Sequence, residues 1–585
     1  MKYFYRPLLL TLLAAAFSQP AVAQTARVEQ DPAQRLLQEQ RERDRQRELE
    51  QTPPAITVTQ LPLPTLPADA DIDTLADAEP TFKIDRIELV GNSVLPADQV
   101  QAITRPFLGK RLGSNRINLL LHRLTEVFVA RGLITTRAYL GQQNLSSGSL
   151  TVTIIPGRIE AIQLNGKTLA ATPAAPAAAS ELQSGGWLTD QGVLLAMPTA
   201  AGDVLNLTDL EQGVEQINRL RRNRAEMQIM PGATPGGSII GLSNPPGDRF
   251  WFSAGFDNYG SSQTGLTRTS LGIEADNLLG LQEMVSLNYS GSLDTNALVL
   301  SAAVPFGYHT FSYTGSLSEY QNLVGDTALL YGNTSGHTFG WNYVLARSQA
   351  AKSALDVTLS WRKTEREINN SVFEPQRLTV LRIGFNRLRR FAFNQQQGSW
   401  TVDAGISRGL RALNASRDSA AITSDEAHSQ FTKLDSSATL SLPLGKLGDT
   451  VWNWRGQLNA QWSRQALFGS EQIFAGGMSS VRGFQDGGIS GDRGFYVRND
   501  LIWGNAPELL GVHLEPYVFL DMGRTELIAE KHYRQLAGAG IGLRLQAQYG
   551  KQRLTSEVLL GHPIKQPDTL GSQRTVLLAT LNYSY

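Results

Sequence analysis

From about residue 245 to its end the chain alternates apolar and polar side chains almost without a break, and that period of two limits the fold more than any other feature. In HTFSYTGSLSE, Phe311, Tyr313 and Leu317 share one face, with Thr310, Ser312, Thr314, Ser316 and Ser318 on the other. In ALDVTLSWRK, Leu355, Val357, Leu359 and Trp361 oppose Asp356, Thr358, Ser360 and Arg362; in GIGLRLQAQYG, Ile541, Leu543, Leu545, Ala547 and Tyr549 oppose Gly542, Arg544, Gln546 and Gln548. One face is apolar and ends in aromatics while the other carries charge, as expected of strands with lipid outside and water inside. A soluble sandwich also alternates, but it turns the chain every 8–12 residues. The stretch of about 340 residues allows roughly 21 per strand with its connection if there are about 16 strands, enough for tilted spans of ~9–11 residues. The closing VLLATLNYSY keeps Leu577, Ala579, Leu581, Tyr583 and Tyr585 in register, so residues 245–585 are expected to form a transmembrane antiparallel β-barrel.

The opening MKYFYRPLLLTLLAAAFSQPAVAQ supports export. Lys2 and Arg6 precede an apolar core at residues 8–17, and Ala21-Val22-Ala23 supplies a small-residue cleavage site, giving a signal peptide over 1–23. Its apolar run is short for a spanning helix, and no later run reaches 18 apolar residues. The chain has no cysteine, which removes disulfides, thiol nucleophiles and cysteine metal sites. Lysine plus arginine equal aspartate plus glutamate at 53 each, giving no electrostatic reason to expect a nucleic-acid partner.

Three segments separate the signal from the barrel. Residues 24–51 contain Asp31-Pro32, a cap followed by a proline suited to the first helical position, and then strong helix formers. Only Leu36, Leu37 and Leu49 are large apolar residues in 33–51, so this helix is not a core element. It is either a solvated helix or one lodged in a water-filled passage, and composition by itself favours the first. Residues 52–80, with Pro53, Pro54, Pro62, Pro64 and Pro67, read as an extended linker. Two α+β modules follow, at 81–157 and 158–244. The first runs strand (82–89), helix, helix (with the stripe Ile117, Leu120, Leu121, Leu124, Val127, Phe128), strand (133–140), strand (149–155). The looser second copy starts with IEAIQLNG. It passes through a surface insert, LAATPAAPAAAS at 169–180, to a helix opened by a Thr208/Glu211 capping box, and ends in strands at 225–229 and 238–242.

Within the barrel one segment stands out: SSVRGFQDGGISGDRGF, 479–495, in a connection of about 470–494 between expected neighbouring strands at 454–462 and 495–503. By itself it reads best as an ordinary extracellular loop, with tolerated glycines and a solvated arginine. In PYVFLDMGR, however, Val518, Leu520 and Met522 share one face, and Tyr517, Phe519 and Asp521 the other. An aspartate facing lipid is destabilising, so parity places Asp521 and Phe519 in the lumen. A lumenal carboxylate needs a cation and donors. Arg482 supplies both if the loop folds inward, with Gly483 permitting a tight turn and Phe484 packing on the wall.

Val481-Arg482-Gly483-Phe484 resembles the VRGF/VRGY loop signature of the TpsB transporters of two-partner secretion, within the BamA superfamily. Phe519-Leu520-Asp521 resembles that family's F-x-D motif on a barrel-wall strand, about 35 residues further on. The resemblance covers nearly the whole chain after the signal, and the segment 479–501 is more similar to the haemolysin and contact-inhibition transporters than to the adhesin exporters. The insert at 169–180 and the final tyrosine, where phenylalanine is usual, depart from the pattern. The resemblance implies a 16-strand barrel in the outer membrane of a Gram-negative cell, with the helix of 24–51 as a plug and two POTRA modules in the periplasm. It implies export of a large secreted TpsA-type exoprotein whose N-terminal secretion domain the modules bind. Outer-membrane lipid, periplasmic chaperones and the barrel-assembly machinery are further expected partners. The site residues Val481, Arg482, Gly483, Phe484, Phe519 and Asp521 are then structural, with no catalytic residue, cofactor or metal. An enzyme is the first rival, yet no G-x-S-x-G, H-E-x-x-H or Walker loop occurs. A passive porin would not need the two modules. The remaining alternative is a barrel-assembly factor of the same superfamily, from which the plug-like helix and the small number of modules argue away.

Overall fold

A computed structural model describes residues 31–50, 56–58, 71–169, 186–245, 247–324, 328–485, 487–571 and 573–585. The signal peptide expected at 1–23, most of the expected linker and nearly all of the alanine- and proline-rich insert lie outside the described residues.

Alternation produces the expected barrel. Seventeen strands stand in one closed antiparallel ring. One of them, Ser371–Val372, is a two-residue tip on the hairpin between the seventh and eighth spans, which leaves sixteen spanning strands. The first, Phe250–Asp257, closes on the last, Val576–Ser584, through five residue pairs from Ser253↔Ser584 to Asp257↔Thr580. Tyr585 extends the seam by exchanging backbone hydrogen bonds with Phe252. Closure removes the sheet edges that could not survive in lipid. The outward face is apolar as the pattern required: Phe311, Leu317, Ile541, Leu577 and Leu581 are all exposed on it. His309, Trp341 and Tyr343 stack beside the turn that faces the modules, His309 on Tyr343 at 4.7 Å between centroids, an aromatic girdle at the periplasmic interface.

The first module is a three-stranded sheet, with Arg86–Val90 parallel to Ser149–Ile155 and Arg137–Leu140 antiparallel to it, covered by helices Ala97–Thr104 and Ser114–Ala130. Ile117, Leu120, Leu124 and Phe128 all enter its core. Two strand limits differ from the sequence reading. Phe82–Lys83 leaves the sheet to pair with Arg111–Leu112, and the strand expected from residue 133 starts at Arg137, because Leu133 turns into the core.

The second module is built from Arg158–Leu164, Glu226–Pro231 and Gly237–Ser243 against helix Leu207–Asn218. The cap of that helix is Asn206, whose side chain accepts from the Thr208 backbone N–H at 2.9 Å. The capping box on Thr208 and Glu211 is therefore corrected: Asn206 is the better cap, and Glu211 is buried toward Arg347 of the barrel. A further helix, Gly186–Ala196, follows the insert; its mixed composition hid it. The linker also contributes structure, since Ile56–Val58 pairs in parallel with Glu226–Pro231 and occupies that edge of the second sheet.

The second module is fixed to the periplasmic turns of the barrel. Gln212 and Gln216 donate to the Gly307 carbonyl at 3.2 and 3.0 Å, and Gly307 N–H donates to the Leu195 carbonyl at 2.8 Å. Arg347 pairs with Glu215 at 2.9 Å and donates to Gln212 at 2.8 Å. These contacts orient the strands: turns that touch the module are periplasmic, and the opposite connections are extracellular.

Candidate functional site: a loop and a helix inside the barrel

The eleventh and twelfth strands, Thr450–Ser463 and Arg493–Trp503, are neighbours, as Trp454↔Leu501 and Ala460↔Phe495 show. Their connection, residues 464–492, turns into the lumen instead of out to solvent. Its two arms, Ile473–Ala475 and Ile489–Gly491, pair antiparallel, and the Val481-Arg482-Gly483-Phe484 tip reaches the wall built by the thirteenth to fifteenth strands, Val512–Leu527, His532–Tyr549 and Gln552–Lys565.

Parity on the thirteenth strand is as read. Val518, Leu520 and Met522 are about half exposed on the outside, whereas Tyr517, Phe519 and Asp521 are buried inside. Arg482 is fully buried and grips Asp521 with a two-pronged contact: Nε donates to Oδ2 at 2.7 Å and an Nη to Oδ1 at 2.8 Å. Its backbone N–H donates to the same carboxylate at 3.1 Å, and its guanidinium lies 4.2 Å from the Phe519 ring centroid. Charge assistance, the planar fork and the aromatic face each strengthen a contact formed where water is excluded. Phe484 and Val481, both fully buried, pack with Ile473, Ala475 and Ile489 of the loop and with Tyr496 and Leu536 of the wall. Gly483 adopts φ +97°, a conformation side chains strain to reach.

The structure adds three residues that sequence reasoning missed. Asp500, inward on the twelfth strand, accepts from Arg482 and also pairs with Arg544 at 2.7 Å. Arg544 in turn holds Glu557 at 3.0 Å and Glu515, so the pin belongs to a wall-wide ionic network. Gly538 and Gly561 form the seat under the loop. A Cβ on Gly538 would stand 2.0 Å from the Arg482 carbonyl, and one on Gly561 2.8 Å from the Gly483 Cα. The alternating run Gly538-x-Gly540-x-Gly542 at inward positions was the available signal, because a wall strand without side chains invites close approach by another backbone.

The helix Pro32–Glu50 also lies within the barrel. Asp31 caps it, accepting from Ala33 and Gln34 N–H at 2.9 and 3.2 Å, and takes a further hydrogen bond from Ser318 on the wall. Its few apolar residues have a matching surface: Ala33 and Leu36 bury against Ala297 and Val299 on the inner face of Thr295–Phe306, with Leu37 alongside. Glu39 pairs with Arg268 at 3.1 Å, Gln38 donates to the Tyr496 hydroxyl at 3.2 Å, and Gln34 donates to the Ser470 carbonyl at 3.0 Å. The last contact joins helix and loop directly. The helix that composition read as solvated is thus held inside the lumen. A polar surface suits either place, and the distinguishing signal was the unalternating ALVL at 297–300, apolar on both faces of one strand. Among the described residues no cluster of His, Asp and Glu is arranged to hold a metal, and no helix is long and apolar enough to cross a membrane.

Comparison with known proteins gives a consistent picture. Residues 236–545 match the family described as haemolysin secretion/activation protein ShlB/FhaC/HecB, residues 82–157 the ShlB-type POTRA domain, and residues 158–231 a POTRA domain. The outer membrane transporter CdiB of Escherichia coli is 30% identical over 504 residues, spanning 84% of this chain and 80% of the relative. The hemolysin transporter protein ShlB of Serratia marcescens is 30% identical, over 77% of each chain. The solved structure of CdiB from Escherichia coli superposes with a TM-score of 0.80 at 27% identity, covering 95% of this chain and 99% of that one.

Proposed function

The chain belongs to the ShlB/FhaC/HecB family of outer-membrane two-partner secretion transporters, and from that premise we propose that its lumen is a gated path for one dedicated exoprotein of the TpsA type. The exoprotein enters extended from the periplasm and folds outside. The observation that carries this reading is the double occupation of the lumen, by a helix joined to the chain through a long linker and by a loop whose tip is pinned to the wall around the buried Arg482. A passive porin has no use for either. The chemistry of these parts is positional: Arg482, Asp521 and Asp500 hold the barrel in its working shape, and no residue is assigned a catalytic role.

Strand addition is the mode of capture that the periplasmic modules offer, since backbone hydrogen bonds accept any unfolded sequence. The second module's Glu226–Pro231 edge is already taken by Ile56–Val58. The first module leaves Arg137–Leu140 at the edge of its sheet, with Tyr139 and Leu140 exposed beside it. A photo-crosslinking residue in place of Tyr139, in the full chain in cells, is expected to capture one large polypeptide destined for secretion. Capture of many different barrel proteins instead would favour the alternative, a barrel-assembly factor.

A further inference from the structure

The outward face of the eighth strand, Gln376–Phe393, breaks the rule that governs the rest of the periplasmic half of the lipid-facing wall. Leu381, Ile383 and Phe385 occupy successive outward positions, and Ile383 and Phe385 are exposed to about the same degree. The next two outward positions are Arg387 and Arg389, both exposed, and apolar residues resume with Phe391 and Phe393. The strand runs toward the periplasm here. Phe385 pairs with Leu355 and Leu355 with Tyr343, the aromatic that stacks on His309 in the periplasmic girdle. Arg387 is one outward step below that row, opposite Val402, and Arg389 is opposite Trp400.

Several other basic side chains at the periplasmic rim have partners: Arg347 and Lys352 hold Glu215 of the second module, and Lys551 holds Asp248. Among the described residues Arg387 and Arg389 have no hydrogen-bond or ion-pair partner. No other lysine or arginine has outward parity on the periplasmic half of the described spans. An outward arginine is strongly destabilising at the bilayer midplane but nearly neutral at its interfaces, where it can extend its guanidinium to the headgroups. Successive outward residues are about 6.6 Å apart along a strand. Two planar forks at that spacing can close on one phosphate with charge-assisted hydrogen bonds, and the Trp400 indole beside them suits the same headgroup depth.

We propose that Arg387 and Arg389, with Trp400 beside them, bind the phosphate of an anionic phospholipid in the periplasmic leaflet. The position commits the site to that leaflet, and the doubled positive charge favours a net-negative headgroup over a zwitterionic one.

The test uses the purified full chain in detergent with added phosphatidylglycerol or phosphatidylcholine, with retained lipid counted by native mass spectrometry and folding checked by heat-modifiable gel mobility. The wild-type chain is expected to retain phosphatidylglycerol about fivefold more than phosphatidylcholine. Arg387→Gln/Arg389→Gln is expected to lose the preference, Arg387→Lys/Arg389→Lys to keep most of it, and Arg408→Gln, outward on the extracellular half, to leave it intact. Equal retention of the two lipids by the wild-type chain, or an undiminished preference in the folded glutamine variant, overturns the proposal. Should the glutamine variant fail to fold, the wild-type chain decides alone. In phosphatidylcholine vesicles containing about three-tenths phosphatidylglycerol, the anionic lipid is expected to raise the unfolding midpoint at low salt and to lose that effect near 1 M salt. A salt-independent shift, or no shift, counts against the site.

Discussion

Arg482→Ala is expected to cut secretion of the exoprotein at least tenfold while leaving the barrel folded and at its normal level in the outer membrane. The substitution removes two donors from Asp521, one from Asp500 and the cation over Phe519 in a place closed to water. Breaking one side of a buried pair costs about 3–5 kcal/mol, because the remaining charge is left uncompensated. At ~1.4 kcal/mol per factor of ten, that lowers the ratio of pinned to released loop by about a hundredfold to a few thousandfold. The sixteen spans keep their backbone ladders, so assembly is spared. Two companions separate charge from shape. Arg482→Lys keeps the charge but loses the fork, and should fall between wild type and alanine. Gly538→Val leaves every charge in place yet sets a side chain against the Arg482 carbonyl, and should match the alanine variant. Secretion per cell, normalised to the heat-modifiable barrel band, is the readout. Normal secretion by Arg482→Ala at equal barrel level would remove the loop from the transport mechanism.

Deletion of residues 31–50 is expected to raise single-channel conductance in a planar bilayer severalfold. A helix with its side chains is about 10–12 Å across, a large part of the bore of a 16-strand barrel. The contacts that hold it are mostly polar, among them Glu39 to Arg268, Asp31 to Ser318, Gln34 to Ser470, Gln38 to Tyr496, and a small patch around Leu36. Hence Glu39→Ala, which removes one of them, should give more frequent openings with the full open conductance of the deletion. A deletion variant conducting no more than the intact chain would mean that the helix does not obstruct the pore.

How much of this was legible follows from what each feature depends on. The barrel could be read because lipid and water impose a period of two on every span, and the pattern survives without knowledge of any neighbour. The lumenal position of Asp521 came from the same parity, and its pairing with Arg482 from the need of a buried carboxylate for a cation. Asp500 and Gly561 were out of reach, because their roles depend on the register of strands far apart in the chain, whereas Gly538 lies in the alternating glycine run that marks the seat. Arg482 meets Asp500 only because the loop folds back across both flanking strands. The location of the N-terminal helix was hidden for a different reason: a water-filled lumen and bulk water select the same polar surface. In the second module the Thr208/Glu211 pattern suggested a cap two residues too late, since Asn206 competes for the same N–H and lies at the turn into the helix. The strand at Ile56–Val58 went unread because three residues between prolines carry no period of their own.

The account's central claim is that this chain serves one exported partner. Its most direct test compares cells with and without the chain, profiling secreted proteins and outer-membrane barrels side by side. The predicted result is loss of a single large secreted protein, restored by the wild-type chain, with the membrane profile unchanged. Depletion of many barrel proteins, with secretion falling only in their wake, would contradict the account and make the chain an assembly factor.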